Sequence, residues 1–182
     1  MIDMEQSDAP SRRLAQLWRH DPYPDTYYVG PEESTADTPA PPFSGGILAD
    51  DMGLGKTLEM IALMLSEPGN GPTLVVAPKG VMTNWETQIR RHIRWNHAPR
   101  MFRYHGSRCY PTARELERND VVITTYNKVG DQLYGEGVLC KVRWRRIILD
   151  EGHNIRNPGS KAALGACKLQ AQSRWVCTGT PM

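Results

Sequence analysis

The sequence lacks three features that would assign it to other protein classes. Its longest uninterrupted apolar run is Met60 to Leu65, whereas a membrane-spanning helix needs about 20 apolar residues, so we predict no membrane partner. Its start has no basic residues followed by an apolar stretch, which argues against a secretory signal. Its four cysteines include no Cys-x-x-Cys pair, which argues against a zinc ribbon, a RING-type site or a disulfide framework. We therefore expect an intracellular protein with reduced thiols.

The net charge of +2 conceals an uneven distribution along the 182 residues. Residues 1–45 carry three arginines and eight acidic residues, a net charge of −5. The remainder carries nineteen basic and twelve acidic residues, a net charge of +7. A basic, arginine-rich body suits a nucleic-acid partner, although charge alone favours a merely solvated basic surface.

Proline distribution separates two parts of the chain. Seven of the fourteen prolines lie between Pro10 and Pro42, in a polar stretch without periodicity. We therefore predict an irregular, acidic segment over residues 1–44 and one folded lobe over residues 45–182. Within this segment, the spacing of Leu14, Leu17 and Trp18 predicts one short helical turn. Tyr27 and Tyr28 predict a short extended piece.

After residue 45 the pattern alternates between strands and helices. Short apolar, β-branched runs predict strands, whereas apolar residues at helical spacing predict the helices between them. Continuous apolar strands separated by helices are typical of an α/β fold, with a parallel sheet that carries helices on both faces. Ligands of such sheets bind beyond the carboxyl ends of the strands. Predicted strands include Thr73–Ala77, Val121–Thr125, Ile147–Leu149 and Trp175–Cys177, and predicted helices include Thr57–Leu65 and the apolar stripe Met82, Trp85, Ile89 and Ile93.

A glycine-rich loop lies between a short apolar run and a predicted helix. Its residues are the candidate ATP-binding set Asp50, Asp51, Met52, Gly53, Leu54, Gly55, Lys56 and Thr57. The two glycines let the backbone N–H groups face an anion, and the following helix adds its positive dipole end. Lys56 would reach the β- and γ-phosphates, and the Thr57 hydroxyl would bind Mg²⁺. The general phosphate-loop pattern has glycine where this chain has Asp50; a simple helix cap is the weaker alternative.

Two adjacent carboxylates follow the predicted strand Ile147–Leu149. Acidic side chains at the end of a buried strand are costly unless a cation neutralises them. We predict that Asp150 binds Mg²⁺ together with Thr57, and that Glu151 orients and deprotonates the attacking water. His153 would contact the γ-phosphate or a neighbouring motif. Alone, an Asp-Glu pair usually marks a polar loop.

A third motif follows the last predicted strand. Thr178, Gly179 and Thr180 place two hydroxyl groups on either side of a glycine. We predict that they hydrogen-bond the acidic motif and couple it to the phosphates. A simple turn is the alternative, because this motif is weak by itself.

These motifs resemble the N-terminal motor lobe of the Swi/Snf-type DNA-dependent ATPases of helicase superfamily two. The resemblance covers about residues 44–182, in the family's motif order, through GGILADDMGLGKTLEMIAL, LVVAPKGVMTNWETQI, VVITTY, RRIILDEGHNIRN and RWVCTGTP. Aspartate is usual in that family at the position of Asp50. Most members of the family have alanine at the position of Gly152, whereas the branch that contains helicase-like transcription factor has glycine there, as this chain does. The segment before Gly45 resembles that branch more weakly.

The resemblance implies a RecA-like P-loop NTPase lobe that binds ATP and Mg²⁺ and contacts duplex DNA through phosphates. The DNA-contact candidates by position are Pro78, Lys79, Asn84, Thr124 and Thr125, whereas the neighbouring Trp85 fits the core better. A nuclear location and a second RecA-like lobe beyond this chain follow from the same resemblance, so the chain is expected to be a fragment. The family's upstream Leu-x-x-His-Gln segment has no counterpart in residues 1–45, and the RING cysteines of this branch are also missing.

Three functions remain open from the sequence. The first is the ATP-binding lobe of a double-stranded-DNA translocase used in chromatin remodelling or DNA repair. The second is a nucleotide- or DNA-binding module that is catalytically incomplete without its partner lobe. The third is an unrelated P-loop kinase, which the motif order disfavours.

Overall fold

The computed structural model describes residues 18–21, 26–29, 44–66, 71–134 and 137–179. The chain divides into two compact units, residues 1–45 and residues 46–182. In the first unit, β1 (Trp18–Asp21) and β2 (Thr26–Val29) pair antiparallel, with Trp18 opposite Val29. The helical turn that was predicted around Trp18 is therefore wrong at that residue, whereas Leu14 and Leu17 lie outside the described residues. Most of the predicted irregular segment 1–44 also lies outside them.

A six-stranded sheet forms the centre of the second unit. Its strand order is β3-β8-β7-β4-β6-β5, and the four pairs from β8 to β5 are parallel. All four residues of the central strand β4 are buried, as a strand covered on both faces requires. The strands are β3 (Gly45–Leu48), β4 (Thr73–Val76), β5 (Met101–Tyr104), β6 (Val121–Thr124), β7 (Arg143–Asp150) and β8 (Gln170–Cys177).

Five helices cover the two faces of this sheet, which confirms the predicted α/β layering. Buried side chains of α1 and α2 pack with Val75 and Ile148 on one face. Buried side chains of α3, α4 and α5 pack with Leu74 and Ile147 on the other face. Neighbouring residues of one strand, such as Leu74 and Val75, pack on different faces because successive side chains of a strand point to opposite faces of the sheet. The helices are α1 (Lys56–Ser66), α2 (Met82–His92), α3 (Ala113–Glu117), α4 (Tyr126–Gly130) and α5 (Lys161–Lys168).

Two strands are longer than the sequence predicted. The predicted strand Ile147–Leu149 begins at Arg143, and the predicted strand Trp175–Cys177 begins at Gln170. Polar residues precede the apolar run in both strands, arginines in β7 and glutamines, serine and arginine in β8, so the pattern alone begins both strands too late. Pairing between β7 and β8 nevertheless continues back to Arg143 opposite Gln170, because backbone hydrogen bonds do not depend on side-chain polarity.

Parallel register brings the carboxyl ends of the strands to one edge. Val76 of β4 is opposite both Leu149 of β7 and Thr124 of β6, and Asp150 is opposite Cys177 of β8. The backbone N–H of Thr178 donates to the carbonyl oxygen of Leu48 at 3.1 Å, which joins the end of β8 to the end of β3. The segments that follow these strands therefore meet at this edge.

Candidate nucleotide-binding site

The glycine-rich loop connects β3 to α1 at the carboxyl edge of the sheet. Gly53 and Gly55 have φ values of +87° and +92°, a left-handed conformation that residues with a Cβ rarely adopt. Neither glycine has another atom within 4 Å of an ideal Cβ position, so the backbone conformation and not crowding explains the glycines. The backbone N–H groups of Leu58 and Glu59 donate to the carbonyl oxygen of Gly55 at 2.8 and 3.0 Å, which begins the helix directly after the loop.

Lys56 folds back over this loop. Its Nζ donates to the carbonyl oxygens of Asp50 at 2.6 Å and of Asp51 at 2.8 Å. Three N–H donors belong to an ammonium group, so these two bonds leave one donor available. Lys56 and Thr57 are half-buried, whereas the preceding loop residues are exposed.

The segment after β8 contacts the loop directly. An ideal Cβ on Gly179 would lie 2.6 Å from Cγ of Met52 and 3.8 Å from Nζ of Lys56. Glycine at residue 179 therefore permits a close approach between the third motif and the loop. Thr178, next to it, is 1% exposed, and Thr180 lies outside the described residues.

Asp150 ends β7 as a nearly buried carboxylate, with 8% of the residue exposed. Its Oδ2 accepts the indole N–H of Trp85 at 2.7 Å, and its Oδ1 accepts the backbone N–H of Glu151 at 3.0 Å. Burial raises the pKa of Asp150, while these two hydrogen bonds and the positive charge of Lys56 act in the opposite direction. Asp150 is opposite Cys177 in β8, and the next residue, Thr178, bonds to Leu48 before the loop, so the acidic motif lies at the same sheet edge as the loop.

Glu151 adopts a left-handed backbone conformation with φ 54° and ψ 59°. It is the one non-glycine residue of the described chain with positive φ, a conformation that costs energy and is concentrated at functional sites. Asn154 holds this turn, because its backbone N–H and side-chain Nδ2 both donate to the carbonyl oxygen of Glu151. Nδ1 of His153 lies 3.2 Å from Oε2 of Glu151, so the two predicted site residues are in contact.

The five predicted DNA-contact residues occupy different environments. Lys79 and Asn84 are exposed and Pro78 is half-buried, all just beyond the carboxyl end of β4. Thr124 is fully buried and its hydroxyl donates to the carbonyl oxygen of Tyr104 at 2.9 Å. Thr125 is 6% exposed and caps α4 by accepting the backbone N–H of Lys128. The side chain of Thr124 therefore joins neighbouring strands and does not face solvent.

Two residues outside the predicted site contact the acidic motif. The core interpretation of Trp85 agrees with its full burial, but its hydrogen bond to Asp150 was not predicted. The hydroxyl of Tyr126 donates to the carbonyl oxygen of Asp150 at 2.6 Å, and burial raises the pKa of that hydroxyl. Both contacts span many residues, 65 for Trp85 and 24 for Tyr126, and no spacing pattern indicates them.

Comparison with known proteins assigns this arrangement to a family. The family model described as "SNF2-related domain" matches residues 3–182. The chain belongs to the SNF2-related domain family. The match begins well before residue 44, where the resemblance in the motifs begins, so the family's domain includes the β1–β2 region as well. This membership confirms the Swi/Snf-type resemblance and implies a nucleotide-binding fold.

Similar SNF2 proteins include DNA repair protein rad8 of Schizosaccharomyces pombe, which is 32% identical over 85% of this chain and 16% of its own length. Helicase-like transcription factor of Oryctolagus cuniculus is 38% identical over 60% of this chain and 11% of its own length. The solved SWI2/SNF2 ATPase core of Sulfolobus solfataricus in complex with dsDNA is 34% identical, with a TM-score of 0.61 over 74% of this chain and 27% of that one. The chain thus spans about a sixth of the length of curated relatives such as rad8.

The residues that the structure describes contain neither a metal-binding cluster nor a membrane-spanning helix. No group of three or more histidine, cysteine, aspartate or glutamate side chains there is arranged to hold a metal ion. Within the same residues, none of the helices has the length and apolar character needed to cross a membrane.

Proposed function

We propose that this chain is the ATP-binding lobe of a DNA-dependent ATPase that translocates along double-stranded DNA. The observation that carries the proposal is the meeting of the glycine-rich loop, Asp150 and Gly179 at one sheet edge in an SNF2-related chain. Residues 45–182 would form the RecA-like lobe, and residues 1–44 the segment before it. Relatives named for DNA repair support a role in repair or chromatin remodelling in the nucleus.

The loop is suited to the phosphates of ATP. Backbone N–H groups around Gly53 and Gly55, together with the start of α1, provide donors and a positive dipole end for an anion. Lys56 would exchange the carbonyl oxygens of Asp50 and Asp51 for phosphate oxygens, which are stronger acceptors because they are charged. Met52 and Leu54 would flank the phosphates within the loop.

The acidic edge fits a magnesium ion that accompanies the nucleotide. Mg²⁺ typically uses one or two carboxylates with phosphate oxygens and water, so a single buried carboxylate, without a three-residue cluster, is sufficient. Asp150 and the hydroxyl of Thr57 would hold the ion. When bound, Mg²⁺ neutralises charge on the β- and γ-phosphates during phosphoryl transfer.

Glu151 is proposed to orient and deprotonate the attacking water. Glu151 directly follows β7 in a left-handed turn, and Nδ1 of His153 contacts its carboxylate at 3.2 Å. Thr178, Gly179 and Thr180 would couple the phosphates to this motif, a role supported by the contact of Gly179 with Met52 and Lys56.

DNA would bind through its phosphates beside the carboxyl end of β4. Lys79 and Asn84 are exposed there and offer a charge and an amide to the DNA backbone. The solved relative in complex with dsDNA supports a duplex as the partner. Thr125 would contribute through its backbone, because its side chain is buried.

Phosphate release with and without duplex DNA tests this function. For a longer chain that includes a second lobe, DNA-stimulated release that Glu151→Gln abolishes is the expected result. Transfer of phosphate to a small molecule would instead support a kinase.

A second candidate is that residues 1–182, which match 27% of the solved ATPase core, bind nucleotide or DNA without completing catalysis by themselves. The Swi/Snf-type resemblance implies that a second lobe would supply transition-state arginines, and an arginine of this kind is worth ~10³–10⁵ in rate. We therefore expect residues 1–182 to bind ATP but to turn it over slowly. Comparison with a longer chain that includes a second lobe separates the two candidates, and turnover at ordinary enzyme rates by residues 1–182 would contradict the second.

A further inference from the structure

Trp85 connects the exposed beginning of α2 to the buried carboxylate of Asp150. The tryptophan is fully buried, and its Nε1 donates to Oδ2 of Asp150 at 2.7 Å. Asn84, the residue before it, is exposed. One turn of helix therefore carries a solvent-facing amide and, on its other side, a direct bond to the acidic motif.

Packing alone does not require this partner. A buried indole N–H needs an acceptor, but a neutral carbonyl suffices: Trp144, which is equally buried, donates to the carbonyl oxygen of Leu139 at 2.9 Å. Trp85 instead donates to an ionisable side chain that the fold keeps nearly out of water at an energetic cost. A hydrogen bond to a carboxylate is shorter and stronger than a neutral one.

The two donors at Asp150 fix the plane of its carboxylate. Trp85 occupies one acceptor position on Oδ2, and the backbone N–H of Glu151 occupies one on Oδ1. Each carboxylate oxygen has two acceptor positions, so one position on each oxygen remains for a cation. Without the indole donor, the side chain would be free to rotate about its terminal torsion, which is soft.

We propose that Trp85 is a positioning residue, which orients Asp150 for Mg²⁺ and transmits DNA contact at Lys79 and Asn84 to the nucleotide site. This inference rests on the proposed function. Asn84 and Trp85 both lie in the first turn of α2, which begins at Met82. A phosphate bound to Asn84 would shift that turn relative to β7, and hydrogen bonds weaken steeply as their geometry changes.

Trp85→Phe removes the indole donor, and Trp144→Phe is its matched control, because it removes a buried indole hydrogen bond away from Asp150. Each variant of residues 1–182 is titrated with ADP by calorimetry, once with EDTA and once with Mg²⁺. The wild type should bind ADP more tightly with Mg²⁺. In Trp85→Phe this gain should fall about tenfold, the effect of one hydrogen bond to a charged group. Trp144→Phe should keep the gain in affinity from Mg²⁺ even if its melting temperature falls as far as that of Trp85→Phe.

The same titrations in the presence of duplex DNA test whether Trp85 transmits DNA contact to the nucleotide site. A mixed-sequence duplex should change the affinity for Mg²⁺ and ADP in the wild type and in Trp144→Phe, but not in Trp85→Phe or in Asn84→Ala. If Trp85→Phe keeps both the gain in ADP affinity from Mg²⁺ and the effect of DNA on that affinity, this inference is overturned. ADP binding by the wild type would in that case still support the proposed function. A wild type that does not bind ADP would overturn both.

If Trp85→Phe does not fold, the wild type provides the measurement. The chain has five tryptophans, so single Phe variants of the other four identify the indole resonance of Trp85 in a ¹H–¹⁵N spectrum. That resonance should move when Mg²⁺ and ADP are added and stay in place when ADP is added in EDTA. A resonance that responds to neither addition contradicts the positioning role.

Discussion

Gly152 and Val176 approach so closely that an ideal Cβ on residue 152 would lie 2.3 Å from Cγ1 of Val176. Gly152 follows the two carboxylates and is buried, and Val176 lies in the adjacent strand β8. The chain cannot accept a methyl group at this position without displacing Val176. The size of residue 152 is therefore matched to the neighbouring strand.

Gly152→Ala is expected to destabilise the fold by about 1–3 kcal/mol, the usual cost of overpacking a core. Adding Val176→Ala should restore part of that loss, because residues in contact show interaction energies of about 0.5–3 kcal/mol. Urea denaturation of both single variants and the double variant measures this. Gly159→Ala is the control, since its Cβ would meet only Oδ1 of Asn157, at 3.5 Å. Additive effects at residues 152 and 176 would contradict the steric match.

Lys56→Ala is expected to weaken ATP binding at least tenfold, because it removes the charge nearest the β- and γ-phosphates while the glycines still shape the loop. Lys79→Ala should leave ATP binding unchanged, since Lys79 is proposed to contact DNA. Calorimetric titration measures both, with circular dichroism as a check of folding. Equal ATP affinity of wild type and Lys56→Ala would refute the role assigned to the loop.

Asp150→Asn is expected to change how stability depends on pH. Burial raises the pKa of Asp150, so the folded state binds more protons than the unfolded state between the ordinary aspartate pKa, about 3.9, and the raised value. Stability that this carboxyl contributes is present below that window and is lost as pH rises through it. The free energy of unfolding of the wild type, measured without Mg²⁺ or nucleotide, should therefore fall relative to that of Asp150→Asn as pH rises from 4 to 8. A difference that stays constant over this range would show that the folded fragment does not raise the pKa.

Duplex DNA is expected to bind weakly and with strong salt dependence, because the contacts are proposed to be to phosphates. Arg91 is an exposed arginine in the last turn of α2, and replacing it together with Lys79 by alanine should weaken binding about equally for unrelated sequences. The matched control replaces Arg114 and Arg118, two exposed arginines on or next to α3, which packs on the opposite face of the sheet. Fluorescence anisotropy over a range of salt concentrations measures each affinity. Strong preference for one sequence, or equal losses in both double variants, would contradict this placement of DNA.

Local patterns were sufficient to predict the α/β layering and most element positions. The predicted helix Thr57–Leu65 is observed as Lys56–Ser66, and the predicted strand Thr73–Ala77 as Thr73–Val76. These elements are recognisable because one period of hydrophobicity, helical or strand-like, persists through each of them. Helix α4 was not predicted, because Thr125, which caps it, was assigned to the preceding strand Val121–Thr125.

The sequence by itself determined the family motifs and their order, since each motif is a run of neighbouring residues with its own chemistry. Only the tertiary structure decided which side chains from distant segments meet. It placed the indole of Trp85 on Asp150, Gly179 on Met52, and the hydroxyl of Thr124 inside the sheet, away from solvent. These contacts follow from strand order and register, which depend on long-range packing and are therefore not encoded in any short stretch of sequence.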